Sequence, residues 1–199
     1  PDGSGTLTFE LSVQDCRGGT HSDTVSIEVI SEPKVRLVTT KGDIVLEILL
    51  ADAPVTSRNF LQYVIDKFYN GTIFHRVIKD FVVQGGAFLP SLMQKTGVRD
   101  PIVNEFSSTR SNIRATVAMA KLDGDPDSAT CQFFINLTDN SANLDTQNGG
   151  FTVFARVIEG LTVVDAIGGV EVTTKKASTG QEFADIPTED VVVNSAKIE

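Results

Sequence analysis

Tryptophan is missing from this chain of 199 residues, and cysteine, histidine, methionine and tyrosine occur only twice each. Cys16 and Cys131 are too few for a disulfide framework or a thiolate metal centre. They leave two free or buried thiols as the main expectation and a single Cys16–Cys131 bridge as the alternative. His21 and His75 cannot build a histidine metal site, so no metal and no other cofactor is expected. Positive charge is also scarce, with 17 Lys and Arg against 26 Asp and Glu and a net charge of −9. That charge repels a phosphate backbone, and no basic run offsets it, which argues against nucleic acid as a partner. No apolar run approaches the ~20 residues that a helical membrane span needs, and no signal peptide opens the chain. The opening Pro1-Asp2-Gly3-Ser4-Gly5 reads like the interior of a longer protein.

What is present begins with alternation. Leu7, Phe9, Leu11 and Val13 face one way, and Thr8, Glu10, Ser12 and Gln14 the other. Val25, Ile27 and Val29 repeat the pattern after a turn-compatible stretch from Asp15 to Thr20, which predicts a β-hairpin. An isolated two-stranded hairpin is marginal in water. It is therefore expected to lie against the following domain, away from any site, and to add stability. The alternative is a remnant of a neighbouring module that waits for partners. Ser31-Glu32-Pro33 breaks the alternation, because proline cannot donate to a ladder. The boundary falls there, giving an extension at 1–32 and a main domain at 33–199.

In the main domain, residues 35–39 and 44–50 form a hairpin that turns at Lys41-Gly42-Asp43. Pro54 suits the first turn of a helix, and Val55, Phe60, Leu61 and Val64 follow near helical spacing. Residues 161–167 make a shorter helix, ended by Gly168 and Gly169. Strand signals occupy 73–79, 81–84, 115–120, 132–137, 152–157 and 191–197, while 87–113 and 138–150 read as loops. Two helices against many short strands predict a mainly β fold, an antiparallel barrel closed on itself. A hydrophobic content of 41% is enough to pack it.

The densest information lies in Phe74-His75-Arg76-Val77-Ile78-Lys79-Asp80-Phe81-Val82-Val83-Gln84-Gly85-Gly86. In a strand, Arg76, Ile78 and Asp80 share one register. Phe81 and Gln84 cannot continue that alternation, so a bend must intervene if the polar and aromatic groups are to converge. A buried arginine without an acidic neighbour is costly unless a ligand or polar partner meets it. The plainer reading is a half-buried strand whose arginine reaches out to water. The run Ser128-Ala129-Thr130-Cys131-Gln132-Phe133-Phe134-Ile135-Asn136-Leu137 repeats the mixture of one glutamine beside two aromatics.

These two runs, with Val117-Ala118-Met119-Ala120 and the stretch from Phe151 to Val157, resemble the cyclophilins, a family of peptidyl-prolyl cis/trans isomerases. The motifs stand in the family's order and spacing, over roughly residues 34–199. The resemblance implies an eight-stranded closed barrel capped by a helix at each end, and rotation about X–Pro bonds as the activity. It assigns Arg76 as the catalytic donor to the substrate carbonyl, and Phe81, Val82, Phe134 and Leu144 as the proline pocket. Gln84 and Gln132 would position the substrate backbone, and Ala120 and Lys121 would form the rim for the residue before proline. His75, beside the arginine in sequence, reads as a satisfied barrel histidine, with a catalytic role as the less favoured alternative.

Departures from the family pattern carry their own expectations. Val82 stands where many members carry methionine. Asn143 falls where eukaryotic members have tryptophan, and Phe151 supplies an aromatic where they have histidine, as bacterial members do. Isomerase activity should survive on proline-containing peptides and unfolded proteins, whereas cyclosporin A should bind weakly at most. The N-terminal hairpin resembles the last strands of cadherin-like or PKD-like surface modules. That implies a periplasmic or extracellular location and leaves the cytoplasm open. The competing readings are a proline-peptide binding module with little catalysis and, less favoured, a purely structural domain.

Overall fold

The computed structural model describes residues 5–14, 16–29 and 32–199. Its centre is one eight-stranded antiparallel sheet that curls around an apolar interior. After the N-terminal strands β1 (Gly5–Gln14) and β2 (Thr20–Val29), the sheet uses β3 (Lys34–Thr39), β4 (Gly42–Ile48), β5 (Phe74–Ile78) and β6 (Val82–Gly85). It continues with β7 (Thr116–Met119), β8 (Phe133–Asn136) and β9 (Val153–Glu159), and it ends with β12 (Val193–Ile198). The spatial order is β12-β3-β4-β9-β7-β8-β6-β5. Val35 and Leu37 on β3, and Ile44, Leu46 and Ile48 on β4, are completely buried, as their alternation predicts.

Closure is less complete than expected. Between the end strands β12 and β5 there is no ladder, only the single bridge Ile73↔Val192 with a few neighbouring backbone bonds. The Phe74 N–H donates to the Val191 carbonyl at 3.0 Å, and the Val193 N–H to that of Thr72 at 2.8 Å. Those bonds satisfy part of the seam, where otherwise two edges would stand open.

Two helices cover the sheet as predicted. Helix α1 (Pro54–Ile65) buries Phe60, Tyr63 and Val64, and α3 (Leu161–Gly168) buries Val164 and Ile167. Phe60 sits edge-on to Phe133 at 5.5 Å and packs on Phe154 at 4.9 Å, so aromatic contacts join α1 to the strands. A third helix, α2 (Ser141–Leu144), occupies a stretch expected to be a loop. A separate hairpin of β10 (Val172–Lys176) and β11 (Glu182–Pro187) was not foreseen. Its first strand is mostly exposed and polar, so it carries no apolar alternation to read.

The N-terminal hairpin pairs as predicted, with Phe9 opposite Val25. Its expected packing on the barrel is not found: Phe9 is 56% exposed, Leu11 69% and Val25 59%. Pairing satisfies the backbone of the two strands, but alternation only gathers apolar groups on one face and supplies nothing to cover them. The side chains of Leu7, Ile27 and Val29, together with Asp15 and Ser31, lie outside the described residues. Glu32 and Pro33 do join the barrel. The Leu50 N–H donates to Glu32 Oε2 at 2.6 Å, and the Ile48 N–H to the Pro33 carbonyl at 2.8 Å. Cys16 is exposed and Cys131 buried, and both are free.

Candidate active site

Strand register decides which distant residues become neighbours. Arg76 pairs with Gln84, Gln84 with Phe134, and Phe134 with Ala118, so one row runs across β5, β6, β8 and β7. Directly opposed residues share a face, and this row lies on the outer face of the barrel. Arg76 reaches it through a register shift between Phe74 and Arg76. Phe74 and Val77 both enter the core, which strict alternation would forbid; one extra residue re-aims the strand between them. The bend expected before Phe81 is also present. Asp80 takes φ +58°, and the Phe81 N–H closes the turn onto the Ile78 carbonyl at 3.1 Å. Gly86, at φ +96°, is required by close approach, since a Cβ there would stand 2.7 Å from the Cys131 carbonyl oxygen.

A cavity of about 160 Å³ opens on this face. It is lined by Arg76, Phe81, Val82, Gln84, Ala120, Lys121, Phe134, Leu144 and Phe151, every predicted site residue except Gln132. Val82, Ala118, Phe134, Leu144 and Val153 form a small apolar cluster under it, separate from the barrel core. Phe134 and Phe151 meet edge to face at 5.7 Å and make one wall. Gln132 stands just behind, its Oε1 accepting from Gln84 Nε2 at 2.9 Å. Gln84 in turn offers Oε1 to Arg76 at 3.5 Å, a long contact that leaves most of the guanidinium donors available. The arrangement can hold a small apolar ring while presenting a guanidinium to a neighbouring carbonyl. Among the described residues no group of His, Cys, Asp and Glu is placed to hold a metal ion.

Residues 34–198 match the family model described as cyclophilin type peptidyl-prolyl cis-trans isomerase/CLD. The chain belongs to the cyclophilin family. It is 49% identical over 168 residues to peptidyl-prolyl cis-trans isomerase cyp18 of Streptomyces antibioticus, covering 82% of this chain and 97% of that one. It is 44% identical over 164 residues to peptidyl-prolyl cis-trans isomerase B of Escherichia coli, covering 80% and 96%. A cyclophilin-type isomerase of Cryptosporidium parvum, crystallised in the presence of the dipeptide Ala-Pro, shares the fold. Its TM-score is 0.68 at 23% identity, covering 83% of this chain and 98% of that one.

This cyclophilin also uses residues that the motifs did not flag. Three buried asparagines pin the pocket walls. Asn112 Nδ2 donates to the Phe151 carbonyl at 2.9 Å, and Asn140 Nδ2 to that of Phe81 at 2.9 Å. Asn136 joins them, donating to Asn112 Oδ1 at 3.2 Å and accepting from Asn140 at 2.8 Å. The Phe151 N–H then donates to the Leu144 carbonyl at 2.9 Å, so three wall segments are fixed to one another. The available signal was weak: Asn136 ends an apolar strand where a polar residue would be unusual unless bonded.

His75 is buried as expected, but it is not fully satisfied. Its ring packs on Phe88 at 4.7 Å, and Nδ1 has no partner at hydrogen-bond geometry. Burial pushes its pKa down to about 4, while the Ile73 carbonyl and the Gln132 side chain pull the other way. It is therefore a neutral imidazole at physiological pH, lying beside the Arg76–Gln84–Phe134 row and not in the cavity wall. Asn143 leaves Oδ1 buried and unpartnered and does not line the cavity.

Proposed function

We propose that Arg76 drives prolyl isomerisation in this enzyme by donating to the substrate carbonyl beside the X–Pro C–N bond, which rotates without being broken. Peptide resonance raises that barrier to about 18–20 kcal/mol. The cis and trans X–Pro isomers differ by only about 0.5–1 kcal/mol, so the obstacle is kinetic. No nucleophile is needed. The proline ring would sit on Phe81, Val82, Phe134, Leu144 and Phe151, and Gln84 and Gln132 would hold the flanking backbone. As the amide twists, its nitrogen becomes pyramidal and Arg76 becomes a better-matched donor, which is transition-state stabilisation. About 4 kcal/mol of such preference accelerates rotation roughly a thousandfold.

The observation that carries this reading is the single row Arg76–Gln84–Phe134 beside an apolar cavity. Proline-containing peptides and unfolded chains are the substrates this site suits, and the Ala-Pro dipeptide present with the Cryptosporidium neighbour supports the choice. Cyclosporin A should bind weakly, and nucleic acid should not bind. Residues 33–199 form the isomerase domain and 1–32 an extension whose likeness to surface modules supports a periplasmic or extracellular location. A protease-coupled assay on an Ala-Pro-Phe reporter tests the mechanism. Arg76→Ala should lower kcat/KM by at least about tenfold, because a preorganised donor contributes about 2.7–4 kcal/mol elsewhere and partial exposure weakens it here. Near-wild-type turnover would remove Arg76 from the mechanism.

A further inference from the structure

Lys121 stands out at the cavity because nothing there neutralises it. Its Nζ donates to the Gly150 carbonyl at 2.6 Å and lies 4.9 Å from the centre of the Phe151 ring. That contact uses one of the three donors of an ammonium. Arg76 and Lys121 are both cationic, and among the described residues no carboxylate lines the cavity. Asp127 favours the charged form from a distance, but no carboxylate pairs with Lys121 among the described residues, and burial pulls its pKa down. A half-buried ammonium with one carbonyl partner and no counter-ion keeps two donors and an uncompensated charge that an anionic ligand can satisfy.

We propose that Lys121 is a specificity-determining residue that makes this enzyme prefer an acidic side chain just N-terminal to the substrate proline. The inference rests on the prolyl-isomerase reading of the same site. The ring and carbonyl contacts hold the ammonium over the Phe151 wall, next to Ala120 at the pocket rim. A substrate Glu or Asp on that side supplies the missing countercharge, and a Lys meets two cations. The chain's net charge of −9 opposes acidic peptides at long range. Charges more than about 8 Å away are largely screened at physiological salt, whereas a cation at the rim acts at contact distance.

Reporter peptides differing only in that residue (Glu, Ala or Lys before Pro-Phe) decide the matter through the Glu-to-Lys ratio of kcat/KM. At low salt the wild-type ratio should be roughly three to ten, one attraction gained and one repulsion removed at a half-exposed site. It should fall towards one in Lys121→Met and in half-molar salt, invert in Lys121→Glu, and persist in Lys121→Arg. The ratio is internal to each variant, so a general loss of activity does not move it. A wild-type ratio near one, or a ratio that Lys121→Met leaves unchanged, overturns the proposal. If the Ala-Pro-Phe parent is not turned over at all, it is the isomerase reading that fails instead.

Discussion

The same strands carry two different jobs on their two faces. On β8, Phe133 and Ile135 point into the barrel and join its large core, whereas Phe134 between them belongs to the small cluster beneath the cavity. On β6, Val83 goes inward and Val82 outward; on β7, Val117 and Met119 go inward and Ala118 outward. The inner face is filled by its own side chains. The outer face stops short of filling and leaves the open cavity that the proposed function assigns to the substrate's proline ring. A strand buried on both faces thus packs the barrel core on one side and the floor of a cavity on the other.

Substitutions on neighbouring residues of β8 should separate these jobs. Phe133→Ala empties a fully buried core position and should cost about 3–5 kcal/mol in urea denaturation. Phe134→Ala already borders a cavity, so its stability loss should be roughly half that, while kcat/KM falls well beyond what the unfolded fraction explains. Equal stability losses with activity retained in Phe134→Ala would erase the distinction between the faces.

His75, at the register shift between the faces, gives the next effect. Its folded pKa of about 4 lies below the ordinary value of 6.5, so the unfolded chain binds the extra proton. Stability is then full above pH 6.5 and declines as pH falls towards 4, where it levels off. The loss is at most about 3 kcal/mol for this group. Denaturation curves from pH 7 to 4 should show that decline in the wild type and a shallower one in His75→Gln. Identical slopes would mean that the imidazole is protonated in the folded state.

Two smaller effects probe the edges of the site and of the fold. Cyclosporin A should inhibit weakly, and Asn143→Trp should tighten it about ten- to a hundredfold, since an added aromatic contact contributes on the order of 1.5–3 kcal/mol. Nanomolar inhibition of the unmodified chain would show that Asn143 is not the position that matters. Deleting residues 1–31 should leave the melting temperature and kcat/KM close to wild type, because Phe9, Leu11, Val13 and Val25 are exposed. A marked drop in melting temperature would mean that the hairpin finds cover on the barrel.

Much of this was legible without coordinates. Alternation placed β3 and β4 to within two residues, and Pro54 and the Gly168-Gly169 pair marked helix ends, because these are local constraints of backbone geometry. The motifs also named the cavity residues: all but Gln132 line one space, and Gln132 bonds to one that does. The asparagine clamp was not legible, since Asn112, Asn136 and Asn140 matter only through contacts between separate segments. Helix α2 and the β10–β11 hairpin escaped for a related reason, as short or polar elements have no periodicity to detect.

The sequence by itself determined which residues alternate and where the chain must turn, because each depends on near neighbours along the chain, and its motifs carried the family membership. Tertiary structure alone decided that Arg76, Gln84 and Phe134 stand in one row, since without the register shift after Phe74 strict alternation would have sent Arg76 to the inner face with Phe74. It also decided that two equally regular alternating patterns end differently. The stripe on β3 and β4 is sealed because other strands and helices close over it, and the described stripe of the N-terminal hairpin is left facing water. Alternation is a property of one strand; burial requires a second surface.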